Sequence, residues 1–356
     1  MTKIGFYANN LTERGTGVAT FDYATLNQDV LGNESVVLYD STFSENDPRV
    51  VAKFANSFEL IPCEGFGEAD DHLTHEGCDL LYALKSGERD EILSKAIPTM
   101  VHSVFPVSVS HVHGAAFAFV SEWLSRVCTR DLLPWVPHVV SIGDSDETLR
   151  ATLGIPENAL VFGCYGGKTS FDIDFVKSVA IPHILETDTD IWFVFMNIQK
   201  FIEHPRVVFL PGSVDVADKT IFINTCDAML HGRKRGETFG IAVGEFSLRG
   251  KPVISYGKSR ERAHLDTLGE TALRYNDATQ LIKIVTEFDR SALSAKSIYQ
   301  ASFSQDAVSK LFASNLIEPA SKSDLDGARR RLGLRRYDPL LLARTRLQKT
   351  MWKHLR

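Results

Sequence analysis

The chain has 356 residues, of which 44% are hydrophobic and 24% charged, a globular composition that excludes a disordered or collagen-like protein. It holds no run of about 18 uncharged apolar residues, and no basic start with a long apolar core follows Met1, so we expect neither a membrane span nor a cleaved signal. The net charge of -6 combines an acidic body with a basic tail, 321–356, that has 11 Lys and Arg against 3 Asp and Glu; an acidic body argues against broad nucleic-acid binding.

Short apolar runs alternate with amphipathic stretches from the first residues onward. The predicted strands of the first half are KIGFYAN, SVVLYD, FELIP, DLLYALK, TMVHSVF and AFAFVS, with predicted helices that include VATFDYATLNQDVL and DEILSKAI. The alternation restarts with LVFGCYGG, DIWFVFMN, VVFLPG, DAMLHG and KPVISYG. This is the βαβ order of parallel sheets. We therefore predict two Rossmann-like α/β domains, 1–140 and 150–315, joined by a polar hinge near residues 138–150.

The five cysteines are scattered along the chain without a C-x-x-C pair. This pattern suggests neither a zinc knuckle nor a disulfide framework, and it fits a reducing compartment. We therefore expect a cytoplasmic protein.

The C-terminal stretch LLLARTRLQKTMWKHLR predicts an amphipathic helix in the basic tail. At about 100° per residue, one face is apolar and the opposite face basic. The apolar face holds Leu340, Leu347, Met351 and Leu355, and the basic face Arg346, Lys349, Lys353 and Arg356. Such a helix lies on an anionic membrane surface, binds a partner, or packs back on the body with its basic face in solvent.

The segment 227–257 contains two acids at a defined spacing. A buried strand is predicted to end in a polar loop, and a helix to begin near Thr238 or Phe239. Glu237 then lies in the loop and Glu245 about two turns along the helix, so that both face one cleft. A helix N-terminus presents free backbone N–H groups that hold an anion or sugar hydroxyls. These groups belong to Thr238, Phe239, Gly240 and Ile241.

The stretch ETFGIAVGE, followed by RGKPVIS, resembles the signature of the retaining family 4 glycosyltransferases, an E-x(7)-E pair in the form E-G-F-G-x-x-x-x-E before P-V-I. The resemblance covers residues 1–315 and implies a GT-B fold, with a nucleotide-sugar donor on the C-terminal domain and an acceptor on the N-terminal one. It implies that Glu237 contacts the donor sugar and supports charge at the reacting centre, and that Glu245 holds the ribose hydroxyls. The alternative is a helix N-terminus with a favourable acid at Glu237 and an exposed Glu245.

The same family places a glycine-rich loop near the donor phosphates. By the resemblance, Gly15, Thr16 and Gly17, just before a predicted helix, would form this loop. A short glycine-rich turn is equally consistent with an ordinary connection between strand and helix.

The leaving diphosphate requires cations or N–H dipoles beside it. By the resemblance, Lys168 is the leading candidate, although Gly167 stands where the family has an Arg. Arg233 and Arg235 would supply the missing charge, or else belong to a solvated loop.

Histidines follow the strands of the first domain. His102 ends a predicted strand, where the resemblance implies contact with the donor sugar and where a structural histidine is the alternative. Lys85, His111 and His113 are candidate acceptor contacts on the N-terminal side. His111 and His113 lack the further ligands that a zinc site needs, and we expect no metal and no resident cofactor.

These observations predict a retaining, metal-independent hexosyltransferase that moves a sugar from a nucleoside-diphosphate sugar to a hydroxyl acceptor on a glycan or a lipid-linked molecule. The alternatives are a nucleotide-sugar epimerase or phosphorylase of the same fold, and a degenerate module that only binds the nucleotide sugar. A dehydrogenase is disfavoured because no G-x-G-x-x-G follows a strand.

Overall fold

The computed structural model describes residues 1–13 and 15–322. The amphipathic stretch predicted from residue 340 onward lies outside them, as does nearly all of the basic tail. Within the described ranges, no helix is both long and apolar enough to cross a membrane.

The first half of the chain forms a six-stranded parallel sheet. The strands are Lys3–Ala8 (β1), Glu34–Asp40 (β2), Glu59–Cys63 (β3), Leu80–Lys85 (β4), Thr99–Ser103 (β5) and Ala116–Phe119 (β6), in the order β3-β2-β1-β4-β5-β6. The helices are Gly15–Asp29 (α1), Pro48–Ala55 (α2), Phe66–His75 (α3) and Glu122–Thr129 (α4), with a 3-10 turn at Val109–His111. The interior strands β1, β4 and β5 are buried along almost their whole length, as expected of a parallel sheet covered on both faces.

The second half forms a second six-stranded parallel sheet. Its strands are Leu160–Tyr165 (β7), Ile191–Met196 (β8), Val207–Leu210 (β9), Ala228–His231 (β10), Val253–Tyr256 (β12) and Ala272–Tyr275 (β14), in the order β14-β12-β10-β7-β8-β9. Gly236–Glu237 (β11) and Glu261–Arg262 (β13) pair separately as a short ribbon. The helices are Ile181–Thr187 (α5), Val216–Thr225 (α6), Ile241–Leu248 (α7), Ala263–Leu268 (α8), Ala278–Thr286 (α9), Lys296–Ser302 (α10), Gln305–Phe312 (α11) and Glu318–Ser321 (α12), with a 3-10 turn at Gly269–Thr271 and π turns at Val176–Ala180 and Ala313–Ile317.

The predicted α/β organisation with two parallel sheets is confirmed, and each apolar run named above contains a strand. The stretch DEILSKAI, predicted as a helix, is irregular instead. Side chains take the bonds that a helix would make with its backbone: Asp90 accepts from the N–H of Ile92, and Ser94 accepts from the N–H groups of Ala96 and Ile97.

The chain crosses between the two halves twice, and the crossings touch. The first is the extended segment around residue 140, within the range 138–150 in which the hinge is predicted. The second follows α10, and the N–H of Val140 donates to the carbonyl of Phe303 at 2.9 Å. Beyond this point α11 packs in the core of the first half, where Phe312 contacts Tyr23 and Tyr82 with ring centroids 5.0 and 5.5 Å apart. The range predicted for the second domain, 150–315, therefore ends in a helix that packs against the first domain.

The return of α11 predicts that Phe312 stabilises the N-terminal half. Replacing the fully buried Phe312 by alanine leaves a cavity, and we expect a loss of about 3–5 kcal/mol in the free energy of unfolding. Urea unfolding followed by far-UV circular dichroism measures this change. Leu293→Ala, at a side chain that is 74% exposed, is the control. Equal midpoints for the two variants would contradict the packing of α11.

Candidate active site

The carboxyl edges of the two sheets face each other across a cleft. A Cβ placed on Gly15, the first residue of α1, would lie 4.0 Å from Cδ1 of Ile241, the first residue of α7. Arg49 on α2 donates to the carbonyl of Gly212 after β9 at 3.4 Å. The guanidinium of Arg235, after β10, lies 4.9 Å from the ring centre of Phe105, after β5. Ligands of parallel α/β sheets collect at such edges.

Two helix N-termini therefore point into one space. The first N–H groups of a helix have no acceptor within the helix, and its N-terminus bears partial positive charge. Gly17 allows the tight turn before α1, because a Cβ there would lie 2.3 Å from the carbonyl oxygen of Thr12. Thr16 accepts a hydrogen bond from the Thr20 hydroxyl through its carbonyl and is itself exposed. Gly15, Thr16 and Gly17, predicted as a loop before the helix, thus form the first turn of α1 itself and lie close to the N-terminus of α7.

The helix after Glu237 begins later than predicted, at Ile241. Gly240 precedes it with a φ of 97°, a conformation that favours glycine. A Cβ at Gly240 would also crowd both Glu237 and His264, at 3.3 Å from each. Thr238 and Phe239 thus lie in the loop, and the buried ring of Phe239 packs on His138 and Phe303 at the crossings.

Glu237 is held by two side chains, one from the end of β10 and one from the loop that follows it. Its Oε2 accepts from Nη1 of Arg233 at 2.7 Å, and its Oε1 lies 3.3 Å from Nε2 of His231. Burial raises the pKa of Glu237, but the Arg233 charge and the His231 hydrogen bond outweigh burial and lower this pKa to about 2. Glu237 is therefore ionised at neutral pH.

A buried chain of polar groups supports His231 from behind. Nδ1 of His231 lies 3.0 Å from the Ser255 hydroxyl, which lies 3.1 Å from Nε2 of His264. The rings of His231 and His264 are 4.7 Å apart. The sequence analysis did not identify His231, although its place at the end of β10, directly before the basic loop, is the signal that would have found it.

Glu245 is buried on α7, with 7% of its surface exposed. Its Oε2 has no hydrogen-bond partner among the residues that the structure describes. Burial raises the pKa of Glu245 well above its usual value, and the charge of Asp22 on α1 adds to this effect. A buried carboxylate without donors is costly, so this position favours a ligand that supplies hydroxyl groups.

Asp22 and Lys219 extend this polar region, and neither was singled out from the sequence. Burial raises the pKa of Asp22 to about 6, while Lys53 on α2 and Lys219 on α6 oppose the rise. Burial likewise lowers the pKa of Lys219. An acid between two aromatic residues, Phe21 and Tyr23, is the sequence signal that was available.

The predicted diphosphate cations stand in different environments. Lys168 is exposed in the loop after β7. Arg233 is engaged by Glu237, and Arg235 donates through Nε to Glu261 at 2.7 Å. Both arginines thus already have carboxylate partners, whereas no ion pair to Lys168 occurs in the described part of the chain.

His102 lies in the core of the first domain, and not on the cleft surface as a donor contact would need. It is fully buried. Its Nδ1 lies 2.8 Å from the Tyr82 hydroxyl and its Nε2 2.9 Å from the carbonyl of Val136. Burial lowers its pKa to about 4 despite the bond to Val136. Both ring nitrogens of His102 thus have hydrogen-bond partners inside the protein. His102 is therefore the structural histidine that the sequence analysis gave as the alternative to a donor contact.

The three predicted acceptor contacts come from the end of β4 and from the connection between β5 and β6. Lys85 is buried and pairs with Asp90, and it also donates to the carbonyl of Ile92 at 3.1 Å. His111 accepts from the N–H of Arg89 at 3.2 Å. His113 is buried, and its Nε2 has no partner among the described residues. The structure brings these side chains together, with Lys85 already neutralised by Asp90.

Residues 1–13 and 15–322 hold no group of three or more His, Cys, Asp or Glu side chains arranged to hold a metal ion. Asp172, in the segment after β7, binds the backbone: its carboxylate accepts from the N–H of Lys234 at 2.6 Å.

No protein-family model matches the chain, and no curated protein matches its sequence. Its fold is similar to that of HepE (Alr3699) from Anabaena, solved in complex with UDP-glucose, with a TM-score of 0.66 at 16% identity over 88% of this chain and 98% of that one. A glycosyltransferase from Rickettsia africae aligns with a TM-score of 0.60 at 12% identity over 93% and 98%. MnaA from S. aureus, solved with UDP, aligns with a TM-score of 0.56 at 12% identity over 87% and 94%. The chain thus has the predicted GT-B fold.

The low pKa of Glu237 predicts a pH-dependent stability. Glutamate in an unfolded chain has a pKa of about 4.3. The ionised Glu237 therefore stabilises the fold above that pH, and this contribution to the free energy of unfolding is lost as the pH falls towards 2. At pH 7 we expect Glu237→Gln to lower the free energy of unfolding by about 1.5–3 kcal/mol. At pH 3 the difference should shrink. Urea unfolding at both pH values measures it, with Glu270→Gln at an exposed site as control. A deficit of equal size at both pH values would contradict the assigned charge.

Proposed function

We propose that this chain is a glycosyltransferase that moves a sugar from a nucleoside-diphosphate sugar to a hydroxyl acceptor in the cleft between its domains. The observation that carries the proposal is the buried Oε2 of Glu245, which lacks a hydrogen-bond donor among the described residues. It lies on α7, whose N-terminus faces that of α1. A nucleoside diphosphate supplies what both features require, hydroxyl groups for the carboxylate and negative charge for the helix ends.

The donor is assigned to the second domain. Glu245 accepts hydrogen bonds from the two ribose hydroxyls. The N–H groups of the loop and helix start, residues 238–241, bind the donor sugar and the diphosphate. The likeness to HepE, solved with UDP-glucose, and to MnaA, solved with UDP, supports a uridine diphosphate sugar.

The leaving diphosphate gains negative charge as its bond to the anomeric carbon breaks, and preorganised positive groups stabilise it. We assign this role to the N-termini of α1 and α7 together with Lys168. Arg233 and Arg235 contribute to the field of the cleft, but their guanidinium groups already bind Glu237 and Glu261. In this proposal no resident metal or cofactor takes part.

Positive charge develops at the anomeric carbon in the same step, as in glycoside chemistry generally. The ionised Glu237 binds the sugar hydroxyls and stabilises this charge. The resemblance of ETFGIAVGE to the retaining family 4 enzymes supports attack of the acceptor hydroxyl on the face that the diphosphate leaves, with the hydroxyl proton passing to the departing diphosphate oxygen. Retention is therefore part of the proposal.

The acceptor is assigned to the first domain, near Lys85, His111 and His113. We propose a hydroxyl of a glycan or of a lipid-linked sugar, and peripheral attachment to an anionic membrane through the basic tail. The charge of residues 321–356 supports this attachment.

Matched glutamine variants separate the two glutamates. We expect Glu245→Gln to raise KM for the donor about tenfold with kcat nearly unchanged, because an amide nitrogen replaces one of the oxygens that accept from the ribose hydroxyls. Glu237→Gln should lower kcat by about 10²-fold, because it removes charge that acts in the transition state. The measurement is steady-state transfer from UDP-, GDP- and ADP-sugars, with Glu270→Gln as control and the product anomer assigned by NMR.

Each alternative gives its own result in this assay. An inverted linkage would overturn retention. An isomerised nucleotide sugar formed without acceptor would replace transfer by epimerisation. Donor binding by a folded wild type without transfer to any acceptor of the panel would indicate a module that only binds.

A further inference from the structure

A second cavity lies at the hinge, at the opposite edge of the second sheet from the cleft. Its volume is about 300 Å³. We call it the hinge pocket, and its polar lining consists of Asp146, Thr148, Asn224, Arg249, Lys251 and Lys296. Asn224 is near the end of α6, before β10, and Lys251 directly precedes β12. In parallel strands these amino ends lie away from the carboxyl edge that forms the cleft.

The walls of the hinge pocket are built from both segments that join the domains. Asp146 and Thr148 belong to the first crossing, and Lys296 begins α10, which leads into the second. The two crossings are bonded to each other through the N–H of Val140 and the carbonyl of Phe303. A molecule in this pocket therefore touches both segments that join the domains.

Hydrogen bonds to α6 hold the first crossing in place around the pocket. The N–H of Gly143 donates to the Thr220 hydroxyl at 2.9 Å. The amide of Asn224 donates to the carbonyls of Ser145 and Glu147 at 2.7 and 3.0 Å. Nε of Arg249 donates to Oδ1 of Asn224 at 2.7 Å, which fixes the guanidinium at the wall. The position of the Arg249 guanidinium at the pocket wall is thus preformed.

The charge of the pocket is unbalanced. Three cationic side chains face one carboxylate, that of Asp146, which is almost fully exposed and lies 3.3 Å from Nη2 of Arg249. Within the described ranges, the ammonium of Lys251 forms no hydrogen bond or ion pair, although the side chain is half-buried. Burial lowers the pKa of Lys251, so its charge is incompletely solvated. A partly desolvated cation without a partner is unfavourable, and an anion beside it removes that cost.

We propose that the hinge pocket binds a small phosphorylated molecule through Lys251, Arg249 and Lys296. Its volume accommodates a phosphate group with a small organic part. The ammonium of Lys251 and the guanidinium of Arg249 contact the phosphate oxygens, and Lys296 closes the site from α10. By binding the first crossing and α10 together, the ligand stiffens the hinge without entering the cleft.

Inorganic phosphate is the probe for this site. We expect isothermal titration calorimetry at constant ionic strength, with saturating UDP occupying the cleft, to show one saturable phosphate site on the full-length wild type. Lys251→Met should weaken this binding at least tenfold, and Lys251→Arg should retain it, with near-UV circular dichroism confirming that both variants are folded. Lys168→Met, on the cleft side, is the matched control and should retain the site. Absence of saturable binding in the wild type, or loss in Lys168→Met with retention in Lys251→Met, would overturn the proposal.

Two further arms locate the effect and the source of the phosphate. Hydrogen exchange of the amides in residues 143–149 should slow on addition of phosphate in the wild type but not in Lys251→Met; an unchanged rate in the wild type would overturn the contact with the hinge. Sedimentation with phosphatidic acid vesicles should be the same for the wild type and Lys251→Met. Sedimentation that depends on Lys251 would assign the site to a lipid headgroup and overturn the assignment to a soluble ligand.

Discussion

The opposition of two helix N-termini across the cleft is the constraint on which the candidate site depends. In each parallel sheet, the strand ends and the following helix starts lie at one edge. Because those edges face each other, the start of α1 at Gly15 lies against the start of α7 at Ile241. The site is positive there even though the chain has a net charge of -6, since the relevant charge comes from backbone N–H groups.

The two glutamates of the ETFGIAVGE segment have opposite electrostatic environments. Glu237 is bonded to Arg233 and His231, which keep it charged and fixed in orientation. Glu245 is buried beside Asp22, and its pKa is raised. An ionised group suits the stabilisation of positive charge in a transition state, whereas a carboxylate that lacks donors suits the binding of hydroxyls. The division of labour in the proposed mechanism follows from these surroundings.

Much of the fold could be predicted from local sequence. The apolar runs predicted the strands, and their alternation with predicted helices indicated that the sheets are parallel. What the sequence could not show depends on contacts between distant residues. Phe312 packs on Tyr23, although the two residues lie near opposite ends of the described sequence. The buried His102 likewise has a hydrogen-bond partner from a distant segment, the carbonyl of Val136. Asp22 and Lys219 could be recognised as members of the site only in the structure, because they lie on different helices, α1 and α6, that the fold places at one cleft. The segment DEILSKAI has the periodicity of a helix but is irregular, because the side chains of Asp90 and Ser94 bind backbone N–H groups that a helix would use.

The role of Glu245 as the ribose acceptor is the central claim, and a thermodynamic cycle tests it most directly. The cycle compares the binding of UDP and of 2′,3′-dideoxy-UDP to the wild type and to Glu245→Ala by calorimetry. The account predicts that removing the hydroxyls weakens binding to the wild type at least tenfold but has little effect on the variant. Equal losses in the two proteins would place the ribose away from Glu245 and contradict the account.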